Sequence, residues 1–263
     1  MSIIKAFSYT ILAFLFWVII QLAILVPVKY LFGKPDDFTH VFGLTKIVSV
    51  VGPFFLIYYF FWKPKFDLKK ALKIQNYSPG IYLYLPIIGL GLFLLNKPFW
   101  DFTKILQFYQ GISKIENAVI SSNKMAFIYN LISTLLIAPI IEELFYRKFL
   151  LEKLAQKNRP ILAIIVSSIC FSIIHIETPN NLIPTFISGI ILGIIYLKTK
   201  KIGYCIMLHF IVNLIIMTTN NIGTLNNNWL SSYDFNIIYW LLFVTGIILT
   251  LFGMKRITTT KTV

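Results

Sequence analysis

The chain has 263 residues, 57% of them hydrophobic and 13% charged, with a mean hydropathy of +0.78 and a formal net charge of +14. Soluble domains carry about a quarter of charged residues, so this composition excludes a water-soluble globular protein and indicates an all-α, polytopic transmembrane bundle. The excess of lysine and arginine does not describe a nucleic-acid surface, because it falls in short clusters between apolar runs, as positive-inside topology requires.

A bilayer-crossing helix needs roughly 20 apolar residues. On that rule the sequence predicts about eight spans, at residues 6–32, 41–62, 80–96, 125–147, 160–176, 182–197, 202–218 and 237–254. The first apolar run is too long for a signal-peptide core and no small-residue cleavage site follows it, so it reads as a retained span. The third is short and contains Pro86. With Lys5 inside, the segments 63–79, 148–159, 198–201 and 255–263 become cytosolic and collect most of the basic residues, from Lys63 to Lys73, Lys148 to Arg159, Lys198 to Lys201 and Lys255 to Lys261. The outer segments 33–40, 97–124 and 219–236 hold only Lys34, Lys97, Lys104, Lys114 and Lys124. Both termini are therefore expected in the cytosol of a multi-pass membrane protein, with the lipid bilayer as its surroundings and no nucleic-acid partner.

Within this frame the chain divides into N-terminal spans with an outer loop (1–124), a central core (125–218), and a last loop, span and basic tail (219–263). The segment 97–124 mixes Trp100, Phe102, Phe108 and Tyr109 with scattered charge, as an outer loop or an interfacial helix does. Asn226 to Asn228 mark the 219–236 loop as polar, and Gly189-x-x-x-Gly193 allows close helix approach. Cys170 and Cys205 both lie in apolar runs and read as small buried side chains.

Polar residues inside the spans carry the chemistry. A charge at the bilayer centre costs about 2.5–3.5 kcal/mol on insertion scales, yet Glu142, Glu143 and Arg147 stand together in the fourth span. Glu143 and Arg147 are four apart and can pair across one helical turn, whereas Glu142 is rotated by about 100° and calls for a partner elsewhere. Phe171-x-x-x-His175 and His209-x-x-x-Asn213 follow on later spans, each pair sharing a helix face. His40, at the edge of the second span, has no comparable company. A carboxylate in an apolar site can take a proton from water and return it to a leaving amine. A histidine opposite can hold the same water, and a second histidine with an amide can donate to an oxyanion. Glu142, His175 and His209 could equally hold a zinc ion with one open position, so zinc and metal-free water activation both stay open. HExxH, GxSG and intramembrane aspartates are all missing, which argues against site-2, serine and aspartyl intramembrane proteases.

In order and in helix placement, Glu142-Glu143-x-x-x-Arg147, Phe171-x-x-x-His175 and His209-x-x-x-Asn213 resemble the three motifs of the CPBP family, which comprises the type II CaaX-prenyl endopeptidases and the bacterial Abi or bacteriocin-processing and immunity proteins. The resemblance covers about residues 125–218. It implies an intramembrane endopeptidase in which Glu142 and His175 activate water, His209 and Asn213 stabilise the oxyanion, and Glu143, Arg147 and Phe171 support the site. The compact, Ile-, Lys- and Asn-rich chain resembles the prokaryotic branch more than the eukaryotic one, which implies a multi-pass protein of a prokaryotic plasma membrane. There the expected substrate is a peptide or membrane-anchored protein, in bacteriocin processing, immunity or peptide signalling, rather than a prenylated CaaX protein. A membrane immunity or binding protein acting by partner contact is the alternative. A proton-relaying transporter is disfavoured by the lack of an inverted repeat.

Overall fold

In the computed structural model, which describes residues 1–32, 39–62, 79–111, 124–221 and 235–259, every regular element among the described residues is a helix. In chain order these are α1 (Ile3–Phe32), α2 (Thr39–Trp62), α3 (Pro79–Trp100), α4 (Phe102–Tyr109), α5 (Lys124–Ala155), α6 (Pro160–Ile173), α7 (Leu182–Thr199), α8 (Ile202–Asn221) and α9 (Ile237–Thr259). Seven of them are long and apolar enough to cross a bilayer, and the protein is a multi-pass integral membrane protein. The basic segment 63–78, residues 112–123 of the 97–124 segment, residues 222–234 of the 219–236 loop including Asn226 to Asn228, and Lys261 lie outside the described residues.

Several span boundaries differ from the sequence expectation. The predicted fifth span, 160–176, is the 14-residue helix α6, about 21 Å long and too short to cross a hydrocarbon core of about 30 Å unaided. It ends at Ile173, and before Pro179, whose ring disfavours helical geometry in the residue ahead of it, Thr178 adopts φ −123°, ψ 83°. The chain from Ile174 to Thr178 closes instead through tight turns, His175 N–H to Ser172 O at 2.9 Å and Thr178 N–H to His175 O at 3.0 Å. The third span, by contrast, runs on through Lys97 to Trp100, since that lysine pairs with Asp101 one turn later.

The chain packs as two compact units, Met1–Ile74 with Ser121–Cys170, and Gln75–Ile120 with Phe171–Val263. In the first, α1 lies along α2, and α2 along α5. Met1 donates its N-terminal ammonium to the Lys153 carbonyl at 2.6 Å, and Asn158 donates to Met1 O at 3.2 Å. At the other end His40 Nδ1 meets the Tyr129 hydroxyl at 2.9 Å and the Lys46 ammonium donates to Asn130 Oδ1. The start of α1 and the basic end of α5 thus share one end, as the charge pattern requires. Between them lies an aromatic core, with Trp62 against Phe149 at 4.3 Å and Phe54 against Phe145 at 4.8 Å between ring centroids.

In the second unit, α3 packs along α9 and α8. Ile81, Leu85, Ile88 and Leu92 form its buried stripe at helical spacing. The α3–α9 contact is backbone on backbone: a Cβ on Gly246 would lie 2.5 Å from the Leu95 nitrogen and 2.8 Å from the Gly91 oxygen. Tyr239 closes the end of this pair by donating to Asp101 Oδ2 at 3.0 Å, on the carboxylate that also takes the Lys97 ammonium. Gly189 and Gly193 are buried along α7, and the Cys205 thiol of α8 reaches the Leu192 carbonyl at 3.5 Å. Cys170 and Cys205 are both buried thiols, as their apolar runs imply.

Candidate active-site residues

Helix α5 owes its shape to Pro139, which has no N–H to give the Leu135 carbonyl and cannot sit in an unbroken helical ladder. The chain widens into a π-helical segment at Ile132–Ile137, returns to α-helix over Ala138–Glu143, and widens again over Leu144–Leu151. Such insertions gather at functional positions because they re-aim side chains relative to an ideal helix. The two acidic residues of the first motif sit on the short α-helical turn between them. The helix then continues past Arg147 to Ala155, carrying the buried Leu150, Leu151 and Leu154 with it.

Glu143 and Arg147 pair as their spacing requires. The Arg147 Nε donates to Glu143 Oε2 at 2.9 Å, with both side chains at 0% exposure. Arg147 Nη1 also reaches Ser167 Oγ on α6 at 3.5 Å, and Ser167 Oγ donates to the Tyr146 carbonyl at 2.9 Å. The motif pattern does not include Ser167. Its only signal in the sequence is a hydroxyl within an apolar run, and its role is to tie α6 to the widened turn of α5. Glu142 is half-buried and lies within electrostatic reach of the Tyr146 phenol one turn further on. All of these residues belong to the first unit.

His175, His209, Asn213 and Phe171 belong to the second. His175 does not stand on a helix face as the spacing implies. It sits in the turn after α6, half-buried, and that turn is anchored by Ser172 Oγ donating to Leu182 O at 2.6 Å. Even so, its Nδ1 lies 3.0 Å from the Phe171 carbonyl. A carbonyl only accepts, so in the neutral ring Nδ1 carries the hydrogen and Nε2 keeps its lone pair. The Phe171 ring touches both histidines edge-on, with centroids 5.3 Å from His175 and 5.9 Å from His209. His209 and Asn213 are one turn apart on α8, half-buried. Ile211 and Ile215 of the same helix pack on α3 at Gly89, and the two-residue offset sets His209 and Asn213 about 200° away from that contact. His40, remote from the motifs in sequence, is engaged by Tyr129.

Among the described residues no three His, Cys, Asp or Glu side chains gather as a metal-holding set.

Residues 124–215 match the family model described as Type II CAAX prenyl endopeptidase Rce1-like, nearly the stretch that the three motifs define. Over 210 residues, 76% of this chain and 84% of the relative, the chain is 24% identical to the "Putative membrane peptidase YdiL" of Bacillus subtilis (strain 168). It is 29% identical over 161 residues to an "Uncharacterized protein" of Mycoplasma capricolum subsp. capricolum, covering 57% of this chain and 47% of that one. No solved structure gives a significant match. These findings bear out the family resemblance carried by the motifs and, with seven apolar helices, support a membrane protease of the CAAX type.

Proposed function

We propose that this protein is an intramembrane endopeptidase that hydrolyses a peptide bond in a peptide or membrane-anchored protein, in bacteriocin processing, immunity or peptide signalling. Glu142 takes a proton from a water that His175 also holds through the Nε2 lone pair, and the water oxygen attacks the scissile carbonyl carbon. His209 and Asn213 donate to the oxyanion that forms, where charge develops in the transition state. Collapse of the tetrahedral species breaks the C–N bond, and Glu142 returns its proton to the leaving amine. Glu143 and Arg147 hold the turn that presents Glu142, and Phe171 sets the two imidazoles.

The reading rests on one observation above the others. The second and third motifs, distant in sequence, meet on a single aromatic ring, with Phe171 in edge contact with both His175 and His209. The test is a deletion strain complemented with the wild-type chain or with Glu142→Gln, read by mass spectrometry of membrane and secreted peptides. Accumulation of one uncut precursor in both the deletion and the Glu142→Gln strain supports the proposal and identifies the substrate. Full restoration by Glu142→Gln overturns it in favour of a membrane immunity or binding protein that acts by contact.

A further inference from the structure

Helix α4 is absorbed neither by the span packing nor by the motif residues, and its surface is divided by chemistry. At 100° per residue, Phe102, Ile105, Leu106 and Tyr109 fall within an arc of about 100°, while Thr103, Lys104 and Gln107 occupy the opposite side. No residue of the helix is buried in the protein. Of its apolar stripe, Phe102 is 55%, Leu106 45% and Tyr109 67% exposed. The helix is also firmly placed. It begins two residues after Trp100 ends a membrane-crossing helix. Asp101 between them has ψ 5° rather than a helical value, which marks the boundary between α3 and α4, while Ile105 N–H still donates to Asp101 O at 2.9 Å. The buried Asp101 carboxylate is fixed by Lys97 and by the Tyr239 hydroxyl. Phe108, on the flank of the stripe, packs against Phe235 with centroids 5.5 Å apart, so the helix is held at two points.

We propose that α4 is a membrane-surface helix whose Phe102–Ile105–Leu106–Tyr109 face is seated in the boundary between lipid headgroups and acyl chains. An eight-residue helix is only about 12 Å long, so one that starts at the end of a spanning helix stays at the bilayer surface. An apolar stripe at that depth is stabilised by entering the outer few ångströms of the acyl region, where aromatic rings concentrate. Lys104, on the far side, then faces water and lipid phosphate. Continuity with the α3 span makes lipid, rather than a second copy of the chain, the occupant of this face.

The experiment uses the full chain reconstituted in phosphatidylcholine–phosphatidylglycerol vesicles, with a nitroxide placed on single cysteines introduced at each position from 102 to 109. Cys170 and Cys205 are buried, and the unsubstituted chain reports any background labelling. Collision with oxygen, which concentrates in lipid, is compared with collision with a water-soluble nickel chelate. The expected result is a helical periodicity, with oxygen favoured at 102, 105, 106 and 109 and nickel favoured at 103, 104 and 107. Nickel access at all positions would place the helix in bulk water and overturn the proposal. Shielding of 102 and 106 from both reagents would mean that protein covers the stripe, and would overturn it equally.

Discussion

The Arg147 guanidinium donates through Nε to the Glu143 carboxylate at 2.9 Å, and neither side chain has any exposed surface. Two charges so enclosed stabilise little as a pair, because their attraction is offset by lost hydration. Removing one partner strands the other at a cost of about 3–5 kcal/mol. Arg147→Met and Glu143→Leu are therefore each expected to lower the thermal stability of the detergent-solubilised protein sharply. The double variant Glu143→Leu/Arg147→Met should recover most of the loss. Equal or greater destabilisation in the double variant would show that the pair does more than satisfy itself.

Glu142 is half-buried and its neighbour Glu143 wholly so, and the two carboxylates should separate experimentally. Glu142→Gln keeps the shape and is expected to leave thermal stability unchanged while lowering kcat by about 10²–10⁴, the usual contribution of a general base. Glu143→Gln is expected to lower stability first and activity only in proportion to the folded fraction. Measuring both variants by thermal unfolding and by cleavage of the precursor identified in the deletion strain distinguishes the roles. The same profile for both would remove the distinction.

Phe171 is the surface on which both imidazoles rest. Phe171→Leu roughly conserves buried volume but removes two edge-to-face contacts, each worth about 0.5–1.5 kcal/mol. If the ring orients the histidines, kcat falls while KM for the precursor stays near wild type, and Phe171→Tyr or Phe171→Trp restores more activity than Phe171→Leu. A pure rise in KM would mean that the ring contacts substrate instead.

The parts of this architecture that are legible in the sequence are those set by local spacing. Glu143 and Arg147 pair because they are four apart, His209 and Asn213 share a face for the same reason, and Leu150, Leu151 and Leu154 extend the apolar pattern of α5 past Arg147. Hydropathy does not show where α6 ends. Ile174 and Ile176 prolong the apolar run past Ile173, the last helical residue, through tight turns that end at Thr178 and Pro179, outside the window that defines a span. The π-helical turns around Glu142 are equally hidden, because they express a balance between Pro139, Ser167 and packing against α6. Lys97 and Asp101 each look like a loop charge when taken singly, whereas together they form a pair, the carboxylate buried, at the end of α3.

The α3–α9 contact yields the sharpest prediction about stability. A Cβ at Gly246 would meet the Leu95 nitrogen and the Gly91 oxygen, both backbone atoms, and one at Gly91 would meet the Thr250 nitrogen at 2.7 Å. Neither clash can be relieved by a rotamer change, so the two helices must separate. Overpacking of a tight core costs about 1–3 kcal/mol or more, and the loss spreads along α3 by weakening the burial of Ile88 and Leu92. Gly246→Ala and Gly91→Ala are expected to destabilise the purified protein by at least that amount, although alanine has the higher helix propensity. At Gly80, on the same helix, an added methyl would meet nothing within 4 Å. Gly80→Ala should then be neutral or gain up to about 1 kcal/mol from propensity alone. Thermal unfolding of the three variants in one detergent decides the matter: if Gly246→Ala unfolds with Gly80→Ala, the helices are not in backbone contact.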